Sequence, residues 1–559
     1  MTEHRLGKGT WELDAAHFPR PTSRLTASMY ETAFPLGFAE DTARNGLLLD
    51  RLAYGQHAGF MYNQVRVVGA PAGAPPPPKW VLQLLSRLHP GIRERTRTAE
   101  KRHVDKPWRT AMKEWNEVIK PQRIAAHRAL LRERPQEMSG PELADHLARC
   151  AQCYEDSVRQ HGRFTISCQV TIGELIVKLQ DWAGIDASDA LSAVQSFSPV
   201  SAGDEPVASA LLSALQADAR ALDVLSRDAD PGAILAELSS GESEVAQRLG
   251  EYLDVVGERA LNNYDVAEPR GVELPFLIVE GLRARLRRPL YTQQVHERAE
   301  QALSELLEKV PEAHHDELRY LVDEARAVAP LRDERVLYGD YWSAGVMRRG
   351  LLELGARLQA RGQLEQRVHA TLFSLDEALA AARGEEHPNS SEMAERWRQR
   401  KKSYTEDAPR HLGPEPVPPP PAAWLPAGLR MSHRATLACL AANFAERTRT
   451  ENDVVVRGIG VSAGVYEGPA RLVVGPDDFH RLRPGDVLVT RSTSPTYNVV
   501  LPLLGALVTD RGGALSHAAI VSREFGIPGV VGCVNATRQL IEGMRVRVDG
   551  RSGECRVVG

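Results

Sequence analysis

The chain has 559 residues, a formal net charge of −4, 43% hydrophobic and 25% charged residues. That is the profile of a multidomain globular protein, and it points neither to nucleic acid nor to a membrane surface. The opening MTEHRLGKGTWELD lacks the apolar core of a signal peptide, no run approaches a membrane span, and six cysteines fit a reducing compartment, so the expected location is the cytoplasm.

In chain order, APAGAPPPP (70–78) reads as a surface loop. The basic run IRERTRTAEKRH (92–103) lacks interleaved aromatics and reads as a solvated helix face, not a nucleic-acid site. Cys150 and Cys153 form CAQC inside a helical pattern. No second pair stands at zinc-like spacing, so both read as helix residues and no metal site is assigned. From about 110 to 400, apolar residues recur at three and four among Ala, Leu, Arg and Glu, which predicts a mostly α-helical domain. PRHLGPEPVPPPPAAWLP (409–426) favours polyproline II and reads as an interdomain linker, with a short helix over 432–449. After Val454, seven β-type runs separated by Gly, Pro and Asp predict a compact α/β domain. GIGVSAG at Gly458 lacks the dinucleotide fingerprint and reads as a turn, and no phosphate-binding loop motif occurs. The predicted organisation is a helical domain over 1–408, a linker with a short helix over 409–453, and an α/β domain over 454–559.

The most informative stretch is TDRGGALSHAAIVSREFGIPGVVG, Thr509 to Gly532. A strand over Ala506–Thr509 leads into Gly512 and Gly513, which permit a tight backbone path. Ser516 is placed to cap a helix running to about Phe525, with Gly526 at its end. His517 then lies on the first turn, where unpaired N–H groups and the helix dipole favour an anion. A neutral imidazole is a good nucleophile, so a phosphoryl group carried on it is the natural chemistry. Thr509, Arg511, Gly512, Gly513, Ser516 and Arg523 are the candidate phosphate-stabilising residues.

This stretch resembles the phosphohistidine swivelling domain of phosphoenolpyruvate-utilising enzymes. The likeness extends through GVSAGVYEGPARLV (460–473), RPGDVLVTRSTSPT (483–496), GMRVRVDG and the terminal GECRVV. The resemblance implies that His517 takes a phosphoryl group originating from ATP and, by movement of its domain, delivers it elsewhere. In the synthase and dikinase branches a phosphoenolpyruvate-binding barrel follows. Here about 40 residues follow His517, so phosphoenolpyruvate and pyruvate are not expected as substrates of this chain.

Within that superfamily the helical region is most like that of rifampicin phosphotransferase. WELDAAHFPRPTSRL (11–25), GERALNNYDVAEPRGVELP (257–275) and RDERVLYGDYWSAGVMRRGLLELGARLQARGQL with LFSLDEAL (332–379) carry the likeness. The family often has a histidine beside the arginine of the second segment; here Glu258 precedes Arg259. No ATP-grasp domain is legible in the N-terminal text. The resemblance therefore implies ATP with Mg2+ on a separate ATP-grasp subunit, as phenylphosphate synthase similarly divides these parts. The acceptor would be a small organic hydroxyl bound in the helical domain.

Phosphoryl transfer needs a base for the acceptor and positive charge at the moving group. Arg332, Asp333, Glu334 and Asp340 are the first candidates, Arg259, Asp265 and Glu273 the second, and His17 and His161 further candidate bases. Catalytic roles are assigned to His517, Arg332, Glu334 and Arg259. A variant of the reading uses phosphorylation to activate the hydroxyl for loss. The alternative is a non-catalytic ligand-binding or regulatory protein whose histidine domain is vestigial or senses phosphorylation.

Overall fold

The computed structural model describes residues 6–558 except 72, 195–204, 262, 288–291, 386–387, 406–407, 445–454, 495–496 and 499. It divides into two compact units that do not follow linear order. The first comprises Met1–Gln169, Asn263–Pro269 and Glu334–Arg434, and the second Val170–Asn262, Arg270–Asp333 and Ala435–Gly559.

The first unit is built on long helices, as the periodicity predicts. Arg24–Arg44 starts at Ser23, whose hydroxyl accepts from Thr26 N. Gly140–Arg163 starts with a full Ser139–Glu142 capping box. The pair Cys150 and Cys153 lies on that helix, buried and unbridged, and burial pushes both thiols up, Cys153 to about 11. The basic run forms the helix Pro90–Asp105, with Ile92, Ala99 and Arg102 turned inward.

A small antiparallel sheet in this unit was not anticipated from the sequence. Its strands are β1 (Trp11–Leu13), β2 (Leu49–His57), β3 (Phe60–Val67) and β4 (His411–Leu412), in the order β2-β3-β1-β4. Strand β4 lies within the proline-rich stretch, pairing Trp11 with Leu412 and Glu12 with His411. Thr10 Oγ1 also donates to Pro414 O and Tyr62 Oη to Pro409 O. The first residues of that stretch are therefore tied to the sheet, not extended free of it. The helix placed at 432–449 runs Ala427–Phe444 among the described residues.

The second unit joins a helical part to the C-terminal sheet. The seven predicted runs give eight strands, because VVVRGIG supplies both β5 (Val455–Arg457) and β6 (Ile459–Ser462). The others are β7 (Val465–Leu472), β8 (Asp486–Thr490), β9 (Leu504–Thr509), β10 (Gly529–Val531), β11 (Arg545–Asp549) and β12 (Glu554–Val557). Their order is β5-β12-β11-β7-β8-β9-β10-β6, and the successive pairs from β7 to β10 are parallel. The central β8 is buried along its whole length, with apolar Val487, Leu488 and Val489 at its middle as a strand covered on both faces requires. One apolar cluster joins this sheet to the helical part of the unit: Leu277 packs with Val461, Leu488, Tyr497 and Ala519.

Candidate functional site

Strand β9 delivers the chain to the site and ends at Thr509. Asp510 then fixes the turn, its carboxylate accepting from Thr537 N and Oγ1. Gly512 follows at φ 111°, and a Cβ there would meet Ser516 Oγ at 2.7 Å, so only glycine fits. The loop is pinned by the C-terminal end of the Ala427–Phe444 helix, which belongs to the same unit: Gly513 N donates to Asn443 O and Leu515 N to Ala442 O. Ser516 caps the helix His517–Phe525 by accepting from Ala519 N, and Gly526 closes it in the left-handed region at φ 62°. His517 is thus the first helical residue, at the positive end of the dipole.

Its imidazole is half-buried and held at both nitrogens. Nδ1 lies 2.9 Å from Thr493 Oγ1, and Nε2 lies 3.0 Å from Asn498 Oδ1. An amide oxygen only accepts, so Nε2 is the N–H here and Nδ1 receives the Thr493 hydroxyl proton. Burial, and secondarily the Arg332 guanidinium, hold the ring far below the ordinary histidine range, at about 3. His517 is therefore neutral at physiological pH and fixed in orientation. Attack on a phosphoryl donor requires one of the two hydrogen bonds to be exchanged.

Arg332 is the predicted helical-region residue that reaches this histidine, and it donates to Leu515 O. Arg523 acts on the backbone instead. Its buried guanidinium donates to Ala514 O and Val461 O, which braces the loop, and burial lowers it to about 10. Thr509 is also buried, its hydroxyl donating to Arg511 O. Arg511 N donates to Arg491 O, which holds the turn against the end of β8. Thr493 and Asn498 are missing from the sequence-derived site.

Arg332 and the acidic residues predicted around it take different partners. The division between units falls between Asp333 and Glu334. Glu334 accepts from Trp115 Nε1 and Lys120 Nζ, both at 2.8 Å, in the first unit. Asp340 is in that unit too, fully buried, with Oδ2 2.9 Å from His161 Nδ1. Asp265 accepts from Ser23, Thr26, Ala267 N and Arg400, which makes it a buried anchor of the fold. His17 pairs with Asp14 at 2.8 Å. In the second unit Arg259 forms a buried two-pronged pair with Glu205 at 2.7 and 3.0 Å. Glu258 and Glu273 both bind Arg270. The glutamate standing where the family often has histidine is thus half of a local ion pair.

Residues 482–553 match the mobile domain of PEP-utilising enzymes, and residues 172–333 match the rifampicin phosphotransferase fourth domain. The C-terminal domain is therefore similar to the mobile domain of PEP-utilising enzymes, and the helical part of the second unit to the fourth domain of rifampicin phosphotransferase. The chain is 28% identical to Rifampicin phosphotransferase of Streptomyces sviceus, over 57% of this chain and 35% of that protein. It is 31% identical to Uncharacterized phosphotransferase YvkC of Bacillus subtilis, over 55% of this chain and 36% of that one. Phosphoenolpyruvate synthase of Pyrococcus furiosus matches at 44%, over 18% of this chain and 13% of its own. The aligned region spans about a third of the first two relatives and about an eighth of the third.

Among the described residues no helix is long and apolar enough to cross a membrane.

Proposed function

We propose that this chain is a phosphotransferase component in which His517 carries a phosphoryl group to a small organic hydroxyl. The observation that carries the reading is the neutral imidazole at the first turn of a capped helix, with the Arg332 cation beside it. Neutral imidazole supplies the nucleophilic lone pair once Thr493 or Asn498 lets go. The helix N-terminus, the Gly512-Gly513 turn and Arg332 favour the dianionic group that results. Arg511 and Ser516 stand at the same turn. The phosphoryl group originates from ATP with Mg2+ on a separate ATP-grasp subunit, and the acceptor is bound by the helical region. The same transfer could end in a phosphorylated product or activate the hydroxyl for dehydration. Unbridged cysteines fit work in the cytoplasm.

The test is the intact mass of the full chain after incubation with Mg2+ and ATP, alone and with a candidate ATP-grasp protein. An acid-labile phosphate that appears only with that partner, and disappears in His517→Ala, is expected. Labelling that survives in His517→Ala refutes the carrier role. The second reading, a ligand-binding or sensing protein, draws on the engagement of both ring nitrogens. It predicts no turnover of any acceptor even when His517 is labelled.

A further inference from the structure

The first unit carries an apolar surface that its own fold leaves uncovered. The helix Lys79–Leu88 reads KWVLQLLSRL. At about 100° per residue, its apolar side chains follow one another around roughly 200° of the helix surface. A helix laid on a folded body needs about half that arc. Half is what the unit uses: Leu82 is buried in a cluster with Ala99, Leu425 and Leu429, and Val81 and Leu85 are half-buried. Trp80, Leu84 and Leu88, spaced at four, stay 68%, 48% and 66% exposed. The stripe ends beside β3. A Cβ on Gly69 would lie 2.9 Å from His89 Nε2, and β3 presents two further exposed side chains just before that contact, Val65 and Val67.

The charge beside this stripe has one dominant sign. Residues 79–109 hold nine lysines and arginines against three acidic residues, a net +6 in a chain whose total is −4, so the remainder sums to −10. The overall charge hides this face. Lys79 and Arg87 stand on the stripe's own helix, and Arg93, Arg97 and Lys101, spaced at four, are exposed on Pro90–Asp105. None of these five forms an ion pair among the described residues. Two such faces repel each other, which disfavours a second copy seated stripe to stripe. A nucleic acid would meet the cations but has no apolar surface for Leu84 and Leu88. An anionic lipid surface answers both features, headgroups for the cations and the acyl boundary for Trp80, Leu84 and Leu88. The net −10 elsewhere is repelled by the same surface, which orients the chain on it.

We infer that Trp80, Leu84 and Leu88, with Arg93, Arg97 and Lys101 beside them, form a peripheral docking face for an anionic lipid surface. The helix lies along the headgroup boundary and does not cross it. From Trp80 to Leu88 the stripe is about 12 Å long, eight steps of about 1.5 Å. So short a stripe holds a lipid surface only weakly and reversibly by itself, and the cations supply the rest of the attraction. The inference goes beyond the phosphotransferase reading and does not depend on it.

The test is flotation of the full chain with vesicles of equal parts phosphatidylglycerol and phosphatidylcholine, against phosphatidylcholine alone, without nucleotide. Binding to the anionic vesicles only is expected. It should weaken at least about tenfold when Trp80→Ser is combined with Leu84→Ser, and again when Arg93→Ala is combined with Arg97→Ala. All four positions are on the surface, so circular dichroism of both double variants should match wild type. Trp80→Phe supplies a second readout: it should keep most of the binding and lose the quenching of tryptophan fluorescence by brominated acyl chains. No flotation with the anionic vesicles would assign the stripe to a protein partner and overturn the inference. Equal affinity for phosphatidylcholine, or flotation that the serine pair leaves unchanged, would overturn it as well. So would self-association in sedimentation equilibrium that the serine pair abolishes, since a second copy would then cover the stripe.

Discussion

Acidification should destabilise the second unit through His517 more than through any ordinary surface histidine. Its pKa is about 3 in the folded chain against 6.5 for an unperturbed ring. The unfolded or undocked ring therefore binds protons that the folded one refuses. Stability is fully present above 6.5 and is lost as pH falls from there toward 3. Each pH unit in that window costs about 1.4 kcal/mol, so the loss by pH 5 is at most about 2 kcal/mol for this half-buried ring. The control is His517→Gln, which cannot titrate but can still accept from Thr493 and donate to Asn498. Urea denaturation of both proteins at pH 7, 6 and 5 isolates the effect, because all other histidines contribute equally and cancel. Wild type should lose up to about 2 kcal/mol relative to the variant between pH 7 and 5. Parallel pH dependences would refute the idea that His517 is held neutral by burial and Arg332.

Arg332→Ala should slow phosphoryl transfer roughly ten- to hundredfold, the worth of one charge-assisted hydrogen bond of about 1.5–3 kcal/mol, with circular dichroism unchanged. Rapid-quench kinetics of His517 labelling and discharge would show it, and wild-type rates would remove Arg332 from the mechanism. Arg259→Ala should cost about 3–5 kcal/mol in urea, because it strands the Glu205 carboxylate 6% exposed. Arg259→Met with Glu205→Leu should recover most of that, whereas a direct catalytic role would leave the double variant stable and inactive. Gly512→Ala should lose about 1–3 kcal/mol and displace the Ser516 cap, since the new Cβ lies 2.7 Å from Ser516 Oγ at φ 111°. A variant of wild-type stability would show that the turn can relax around the methyl group.

The C-terminal domain was legible because its signals are local. Ser516, Gly512 and Gly526 each act within a few residues, and all three hold the caps and turn assigned to them. Thr493 and Asn498 were not legible because they approach His517 from 24 and 19 residues upstream. One signal pointed to them. Strands β8 and β9 are parallel neighbours that end side by side, Thr490 opposite Thr509. Loops leaving the carboxyl ends of adjacent parallel strands come together, so Thr493 and Asn498 had to approach DRGGALSH. The first unit's sheet hid for another reason. Strands β1 and β4 have only three and two residues and lie about 400 apart, so the pairing is visible only in three dimensions. Charge misled as well. Arg259, Arg332 and Arg523 are indistinguishable in sequence, yet one pairs with a buried glutamate, one attends the histidine, and one holds carbonyls.

The boundary of the fourth-domain match gives this division of labour a physical meaning. Residues 172–333 coincide with the helical part of the second unit, apart from 263–269. That part shares one compact body with the mobile domain. What joins them within the unit is an apolar cluster and a few polar contacts. Leu277 enters the cluster with Leu261, Leu274 and Phe276 packed against it, Ser188 Oγ donates to Gly460 O, Arg298 to Glu524 O and Arg332 to Leu515 O. The three polar contacts are single side-chain bonds to backbone carbonyls, which any water molecule can replace. To carry a phosphoryl group away, the domain would need a docked state that is specific and still releases. Carbonyl-directed arginines supply the specificity. Arg332 then couples the two demands. The same guanidinium that holds Leu515 in the docked state also depresses the histidine pKa, and a phosphoryl group on His517 would compete with the Leu515 carbonyl for it. On the phosphotransferase reading, loading the histidine weakens one of the bonds that park it.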